Sequence, residues 1–309
     1  MKKKKGEKEL IKAEKLCKKF NEKLALDNLD LEINNGTIFG LVGSNGSGKS
    51  TFLRLISGVY YADGGKITID GEETYENIEL KNKIFFVSDD FYFKPYSNLD
   101  QMAKFLSCFY ENWDFQRYEK LCSIFPIDKT AKISSFSKGM KRQAALILGL
   151  SAKPSYLLLD EAFDGIDPVI RVALKKLLSD DVAERKLTVV ISSHNLRELE
   201  DFCDHVGLLH KGKIMMEQDI DNLKLGFCKM QAIFNEEKSD DSLREKLDLL
   251  KLERKNNLVT LIAKGSKEEL KKVLEDMGAI YCDIIPLSLE EIFVYEMEAV
   301  GYDYNNIIF

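Results

Sequence analysis

Apolar residues in the first part of the chain gather into short runs separated by glycine, asparagine and aspartate, and most of these runs are too short for helices. Leu10–Leu16 and Leu26–Ile33 read as strands, the second alternating apolar with polar residues as a strand with one buried face should. Phe20-Asn21 reads as a turn between them, and Asn35-Gly36 as a tight reversal. Thr37–Val42, Ile84–Val87, Tyr156–Leu159 and Leu187–Ile191 are continuous apolar runs, the mark of strands covered on both faces. Lys66–Ile69 is a short strand bracketed by Asp63-Gly64-Gly65 and Asp70-Gly71. Helical spacing takes over from Lys49 to Ile56, with a glycine stop at Ser57-Gly58, and again from Lys141 to Leu150. Between Leu99 and Leu121 it is interrupted at Trp113, and Met102, Phe105, Leu106, Phe109 and Tyr110 share one side. Strands alternating with helices in this way predict an α/β fold.

The pattern changes near the end. His210–Ile214 reads as a hairpin turn, Lys229–Phe234 and Leu258–Ala263 as strands. Ser242-x-x-Glu245, Ser266-x-x-Glu269 and Ser288-x-x-Glu291 read as capping boxes opening three helices. An α+β accessory domain over 225–309 is expected. It carries no metal-binding or nucleophile constellation, so a surface for dimer or partner contact is its expected role.

Composition narrows the class. With 309 residues, 45% hydrophobic and 31% charged, the chain is long enough for a large core and a smaller one. Its 45 Lys+Arg against 51 Asp+Glu give a net charge of −6, which argues against a broad basic surface for nucleic acid. Six cysteines are scattered with no C-x-x-C pair, as expected of reduced thiols in a cytosolic protein. Residues 1–9 are expected to be a flexible basic start, in which Lys2–Lys5 are followed by Glu7, Lys8 and Glu9 where a secretion signal has an apolar stretch. Such lysines can be drawn to anionic lipid, at about 1 kcal/mol each. No window approaches the roughly 18 apolar residues of a spanning helix, so work at a membrane requires docking on something that crosses it.

The chemistry concentrates where apolar strands end. Gly43-Ser44-Asn45-Gly46-Ser47-Gly48-Lys49-Ser50-Thr51 has the spacing G-x-x-x-x-G-K-[ST] between a strand and a helix. Glycines let the backbone wrap an anion, its N–H groups point inward, and the helix N-terminus adds partial positive charge. Lys49 then supplies a cation for the β/γ-phosphates and Ser50 a hydroxyl for Mg²⁺. Ser137 and Gly139, at the start of the helix before Leu150, form a second anion site by the same physics. Asp160 and Glu161 are adjacent carboxylates at a strand end, able to divide metal binding and water polarisation between them. Ser88-Asp89-Asp90 and His194 also follow apolar strands, at the edge where open α/β sheets bind ligands. Phe20 is either a loop aromatic available to an adenine or a core aromatic of the first sheet.

In order and spacing these pieces resemble the nucleotide-binding subunit of an ABC transporter over about residues 10–224. Gly43–Thr51 resembles the Walker A motif and Leu157–Glu161 Walker B. Phe136-Ser137-Lys138-Gly139-Met140 resembles the signature, Asp164-Gly165-Ile166-Asp167 the D-loop, and His194 the switch histidine. The resemblance implies a P-loop NTPase of the ABC ATPase type: a mixed sheet core, an antiparallel β subdomain and a helical subdomain over about 90–150, here followed by the small α+β domain. It implies ATP stacked on Phe20, Mg²⁺ held by Ser50 and Asp160, a water polarised by Glu161, and a γ-phosphate sensed by His194. Two cassettes would pair head to tail, so that Ser137 and Gly139 of one cover the γ-phosphate on the other while Asp167 lines the seam. The second cassette is another copy or a paralogue. An integral-membrane permease is the implied partner, and the implied location is peripheral, on the cytoplasmic face of the cell membrane. The helix from Ser288 resembles the ending of drug and antibiotic exporters, which points to export.

Three departures stand out. Asp89 takes the place of the usual Gln, where it can approach Mg²⁺ or a water but donates no hydrogen bond when ionised. Lys138 and Met140 replace a signature glycine and glutamine, and Phe20 stands where Tyr is common. The alternatives to a transporter subunit are a soluble ABC ATPase acting on ribosomes or nucleic acid, and a nearly inactive ATP-binding switch.

Overall fold

The computed structural model describes residues 10–234 and 239–299. The basic segment 1–9 and the end of the expected accessory domain, 300–309, lie outside the described residues. The chain divides into two compact units, one running to Glu217 and the other beginning at Gln218.

The first unit opens with β1 (Leu10–Phe20) and β2 (Lys23–Asn34), an antiparallel hairpin closed by the pair Phe20 and Lys23. Phe20 is therefore the last residue of a strand, and the turn falls at Asn21-Glu22; Asn21, at φ 50, takes the left-handed conformation that a two-residue reversal demands. There follow β3 (Ile38–Val42), α1 (Lys49–Ile56), β4 (Gly64–Ile69) and β5 (Glu72–Glu73). Next come α2 (Ile78–Lys81), β6 (Ile84–Val87), α3 (Leu99–Leu106), α4 (Phe115–Ile124), a 3₁₀ turn at Ile133–Ser135 and α5 (Lys138–Ser151). Then follow β7 (Tyr156–Asp160), α6 (Pro168–Arg185), β8 (Thr188–Ser193), α7 (Leu196–Phe202), β9 (His205–His210) and β10 (Lys213–Asp219), the last of which runs past Glu217.

Two sheets result, a four-stranded antiparallel one in the order β2-β1-β4-β5 and a six-stranded one in the order β10-β9-β3-β8-β7-β6. From β9 to β6 the six-stranded sheet is parallel. Every residue of β3, β7 and β8 is buried, which is why these strands read as unbroken apolar runs. Phe52, Leu53, Leu55 and Ile56 of α1 are fully buried in one core with Ile11, Leu16 and Leu29 of the antiparallel sheet and Leu41, Leu158 and Val190 of the parallel one. Because β3, β8, β7 and β6 are parallel neighbours, their carboxyl ends lie along one edge, and that edge carries the phosphate loop, His194, Asp160-Glu161 and Asp89.

The second unit holds α8 (Ile220–Gly226), β11 (Phe227–Phe234), α9 (Asp240–Arg244), β12 (Leu249–Lys255), β13 (Leu258–Lys264), α10 (Lys267–Asp276), β14 (Ala279–Ile285) and α11 (Leu289–Ala299). Its sheet is antiparallel, in the order β12-β13-β11-β14. The run from β11 to β14 is thus a β-α-β-β-α-β arrangement, two interleaved split β-α-β units. Met230, Leu243, Leu261 and Leu274 lie in its core. Capping boxes at Ser266/Glu269 and Ser288/Glu291 form as the sequence predicts. The one at Ser242 does not: Ser239 caps α9 by accepting the Ser242 N–H at 3.3 Å, so Ser242 sits inside that helix.

Candidate active site

Backbone shape comes first in this site. Gly46 and Gly48 have φ of 80 and 117, conformations that L side chains rarely adopt. A Cβ on Gly48 would lie 2.6 Å from the Ala25 carbonyl, and one on Gly43 would run into the Leu209 carbonyl and the Ser47 hydroxyl. The glycines therefore serve both the turn and the close approach of neighbouring backbone. Lys49, only 5% exposed, donates to the Gly43 carbonyl at 2.6 Å and the Ser44 carbonyl at 3.3 Å, and its Nζ lies 3.3 Å from Glu161 Oε1. The ammonium is thus curled back on its own loop and shared with a carboxylate.

A cleft of about 360 Å³ opens beside this loop. Phe20, Asn45, Gly46, Gly48, Lys49, Ser50, Thr51, Asp89 and Glu161 line it, with Lys23 and Ala25, which the sequence did not single out. Phe20 is 41% exposed and braced by the Tyr60 ring, edge to face at 5.4 Å, so it belongs to the cleft wall and not to the core.

The strand ends at Asp160, and the backbone turns at Glu161. Asp160 ends β7 at 1% exposure, and its Oδ1 accepts from Ser50 at 3.0 Å and from Ser192 at 2.6 Å. Its Oδ2 is buried without a partner. A buried carboxylate oxygen left unsatisfied is costly unless a further group meets it. Oxygen donors from Ser50 and Asp160 fit a hard divalent cation such as Mg²⁺. Glu161 lies past the strand with φ 50, its N–H held by the carbonyl and hydroxyl of Ser192, each at 3.1 Å. His194 Nδ1 stands 2.7 Å from Glu161 Oε2. Asp164 completes a group with Glu161 and His194 whose ligand atoms lie within 4.8 Å of one another. Ser192, to which the sequence assigns no role by itself, links the Asp160 carboxylate to the Glu161 backbone N–H, and the Ser-Ser-His run at a strand end is the signal that could have found it.

Asp89 reaches the cleft but is already engaged, its Oδ1 lying 2.6 Å from Arg142 Nη2 and 3.4 Å from Lys138 Nζ. Burial disfavours its charge, yet the Arg142 hydrogen bond and the Lys138 ammonium outweigh this and hold its carboxyl below the usual range. A carboxylate so paired is a poorer metal ligand than Asp160. Ser137, Gly139 and Asp167 do not line the cleft. Ser137 caps α5 through Met140 N–H at 3.2 Å, and Asp167 caps α6 through Val169 N–H at 2.8 Å. A Cβ on Gly139 would lie 3.1 Å from the Gly165 carbonyl, which brings the start of α5 and the loop after β7 side by side.

Residues 26–164 match the family model described as ABC transporter. The ABC transporter ATP-binding protein YtrB of Bacillus subtilis is 33% identical over 287 residues, 92% of this chain and 97% of that protein. The chain belongs to the ABC transporter ATP-binding proteins. The bacitracin transport ATP-binding protein BcrA of Bacillus licheniformis is 32% identical over 222 residues, covering 70% of this cassette chain and 71% of that protein. Among solved structures, the dimeric ATP-binding cassette MJ0796 bound to ADP and Pi aligns with a TM-score of 0.60 at 24% identity, over 68% of this chain and 98% of that one. The fold is the P-loop ABC ATPase fold of this family, and a cassette acting on ribosomes or nucleic acid is not the favoured alternative.

Proposed function

We propose that this cassette hydrolyses Mg²⁺·ATP in the cleft and drives a separate membrane-spanning permease from the cytoplasmic face of the membrane, in the direction of export. The observation that carries the catalytic part is Asp160 Oδ2, buried and unpartnered beside the Ser50 hydroxyl and the phosphate loop. Ser50 and Asp160 would hold Mg²⁺, which when bound neutralises charge on the phosphates. The loop N–H groups and Lys49 bind the phosphate chain, its ammonium exchanging the Gly43 carbonyl and Glu161 for phosphate oxygens. Phe20 stacks the adenine. Glu161, released from Lys49, orients and polarises the attacking water, and His194 positions Glu161 and contacts the γ-phosphate.

Two further features support the assembly. Ser137, Gly139 and Asp167 stand outside their own cleft, as they should if a second cassette supplies them. No helix among the described residues is long and apolar enough to cross a membrane, which is compatible with a separate membrane-spanning partner. Outward transport is favoured by the helix from Ser288, which resembles the ending of drug and antibiotic exporters, and an antibiotic cargo by the likeness to a bacitracin transport protein. Steady-state hydrolysis is the test: Glu161→Gln is expected to bind ATP and accumulate as a dimer while losing turnover. Full-rate hydrolysis by that variant removes Glu161 from the mechanism. Co-isolation with a multi-span protein supports the partner, whereas salt-sensitive co-sedimentation with ribosomes overturns it.

A further inference from the structure

Arg142 is the buried cation on which two loops of the site converge. It lies on α5 just past the signature residues and is 9% exposed. Its Nη2 meets Asp89 Oδ1 at 2.6 Å, its Nη1 donates to the Asp164 carbonyl, and Nη2 lies 3.8 Å from Asp164 Oδ2. Asp89 lines the nucleotide cleft, and the Asp164 carboxylate stands beside Glu161 and His194. A single guanidinium thus bridges the loop after β6 and the loop after β7.

We propose that Arg142 is a positioning residue for hydrolysis, holding Glu161 through the Glu161–Asp164 turn and joining that turn to Asp89 and the start of α5. This rests on the reading of the cleft as the ATP site. Glu161 is a non-glycine residue at φ 50, a conformation that persists only where surrounding contacts impose it. Ser192 holds the near end of the turn. Within the turn the Asp164 N–H to Glu161 carbonyl contact is a long 3.4 Å, so the far end depends on the Arg142 bond to the Asp164 carbonyl. A planar fork can meet a carbonyl and a carboxylate at once, whereas a lysine offers one nitrogen. Lys138 approaches the same Asp89 oxygen but is 71% exposed, so solvent screens it and Arg142 is the stronger partner.

The test uses the full chain and compares Arg142→Ala, Arg142→Lys, Asp89→Ala and the double alanine variant. Steady-state ATP hydrolysis and binding of a fluorescent N-methylanthraniloyl ATP are measured on each, with Tm as a check of folding. Arg142→Ala is expected to lower kcat roughly tenfold to a hundredfold, as small misplacements of a reacting group do. KM and analogue affinity should stay within about twofold, the signature of a lost transition-state contact. Arg142→Lys keeps the Asp89 pair, loses the bridge, and should restore only part of kcat. The double variant should be no slower than Arg142→Ala alone. Unchanged kcat in a folded Arg142→Ala, full activity of Arg142→Lys, or additive losses in the double variant would each overturn the proposal. If Arg142→Ala fails to fold, the kcat-against-KM split of Arg142→Lys decides. A wild-type chain that neither binds the analogue nor hydrolyses ATP overturns the cleft reading itself, whereas a binding, hydrolysing wild type with indifferent Arg142 variants overturns only this inference.

Discussion

At the scale of single residues, glycine chemistry at the phosphate loop makes the sharpest demand. Gly48→Ala must place a methyl group 2.6 Å from the Ala25 carbonyl while holding φ 117. The loop has to rearrange, and ATP binding measured by fluorescence titration should be lost, with a destabilisation of about 1–3 kcal/mol from the strained backbone alone. Asp89 gives a dependence on pH. Its carboxyl is held below the 3.8 of an unperturbed aspartate, so its contribution is complete above that value and is lost as pH falls through the lower folded value. Urea midpoints of the wild type should therefore drop more steeply than those of Asp89→Asn below about pH 4. Equal slopes would mean that the Arg142 and Lys138 pairs add no stability. Much of this site was legible because its motifs are local: the phosphate loop, Asp160-Glu161 and His194 each announce themselves within a few residues. Arg142 was not, because its partners Asp89 and Asp164 lie 53 and 22 residues away along the chain. Only the coincidence of an unusual acid after β6 with an extra cation on α5 could have hinted at it.

Elements show the same division between local and distant signals. Ser266 caps α10 with a reciprocal contact from Glu269, so Ser266→Ala should cost the second unit about 1 kcal/mol in chemical denaturation. Ser242-x-x-Glu245 has the same letters but lies one turn too late, because Ser239 takes the cap first. Spacing alone cannot choose between competing serines. Strands β12 and β14 escaped notice because they flank the sheet and keep much of their length in water, which blurs the alternation that marked β11 and β13. Helix α6 is tied to α4 by Asp181, buried at its end, which meets Arg117 at 2.7 Å and Arg185 at 2.9 Å. Asp181→Ala leaves two guanidiniums without their anion. The expected loss is about 3 kcal/mol, the low end for a broken buried pair because both arginines keep contact with water. A loss below about 0.5 kcal/mol in urea denaturation would place this pair among surface bridges.

For the whole molecule, the parallel order β3-β8-β7-β6 gathers the site, while a separate core stabilises the second unit. The apolar cluster around Met230, Leu243, Leu261 and Leu274 shares no residue with the cluster that buries α1. Stability should therefore be divisible. Leu261 is fully buried on β13, and Leu261→Ala removes its side chain from the centre of the smaller core at a cost of about 2–5 kcal/mol. A domain has about 5–15 kcal/mol in total, so this is a large fraction for a unit of that size. Calorimetry of the variant should show the transition of the second unit moved to lower temperature, with the transition of the nucleotide-binding unit in place. Hydrolysis of ATP should continue at temperatures between the two, since the cleft draws no residue from beyond Glu217. A single transition that shifts as a whole, with activity lost at the same point, would show that the two cores melt as one cooperative body and that the accessory unit supports the cassette energetically.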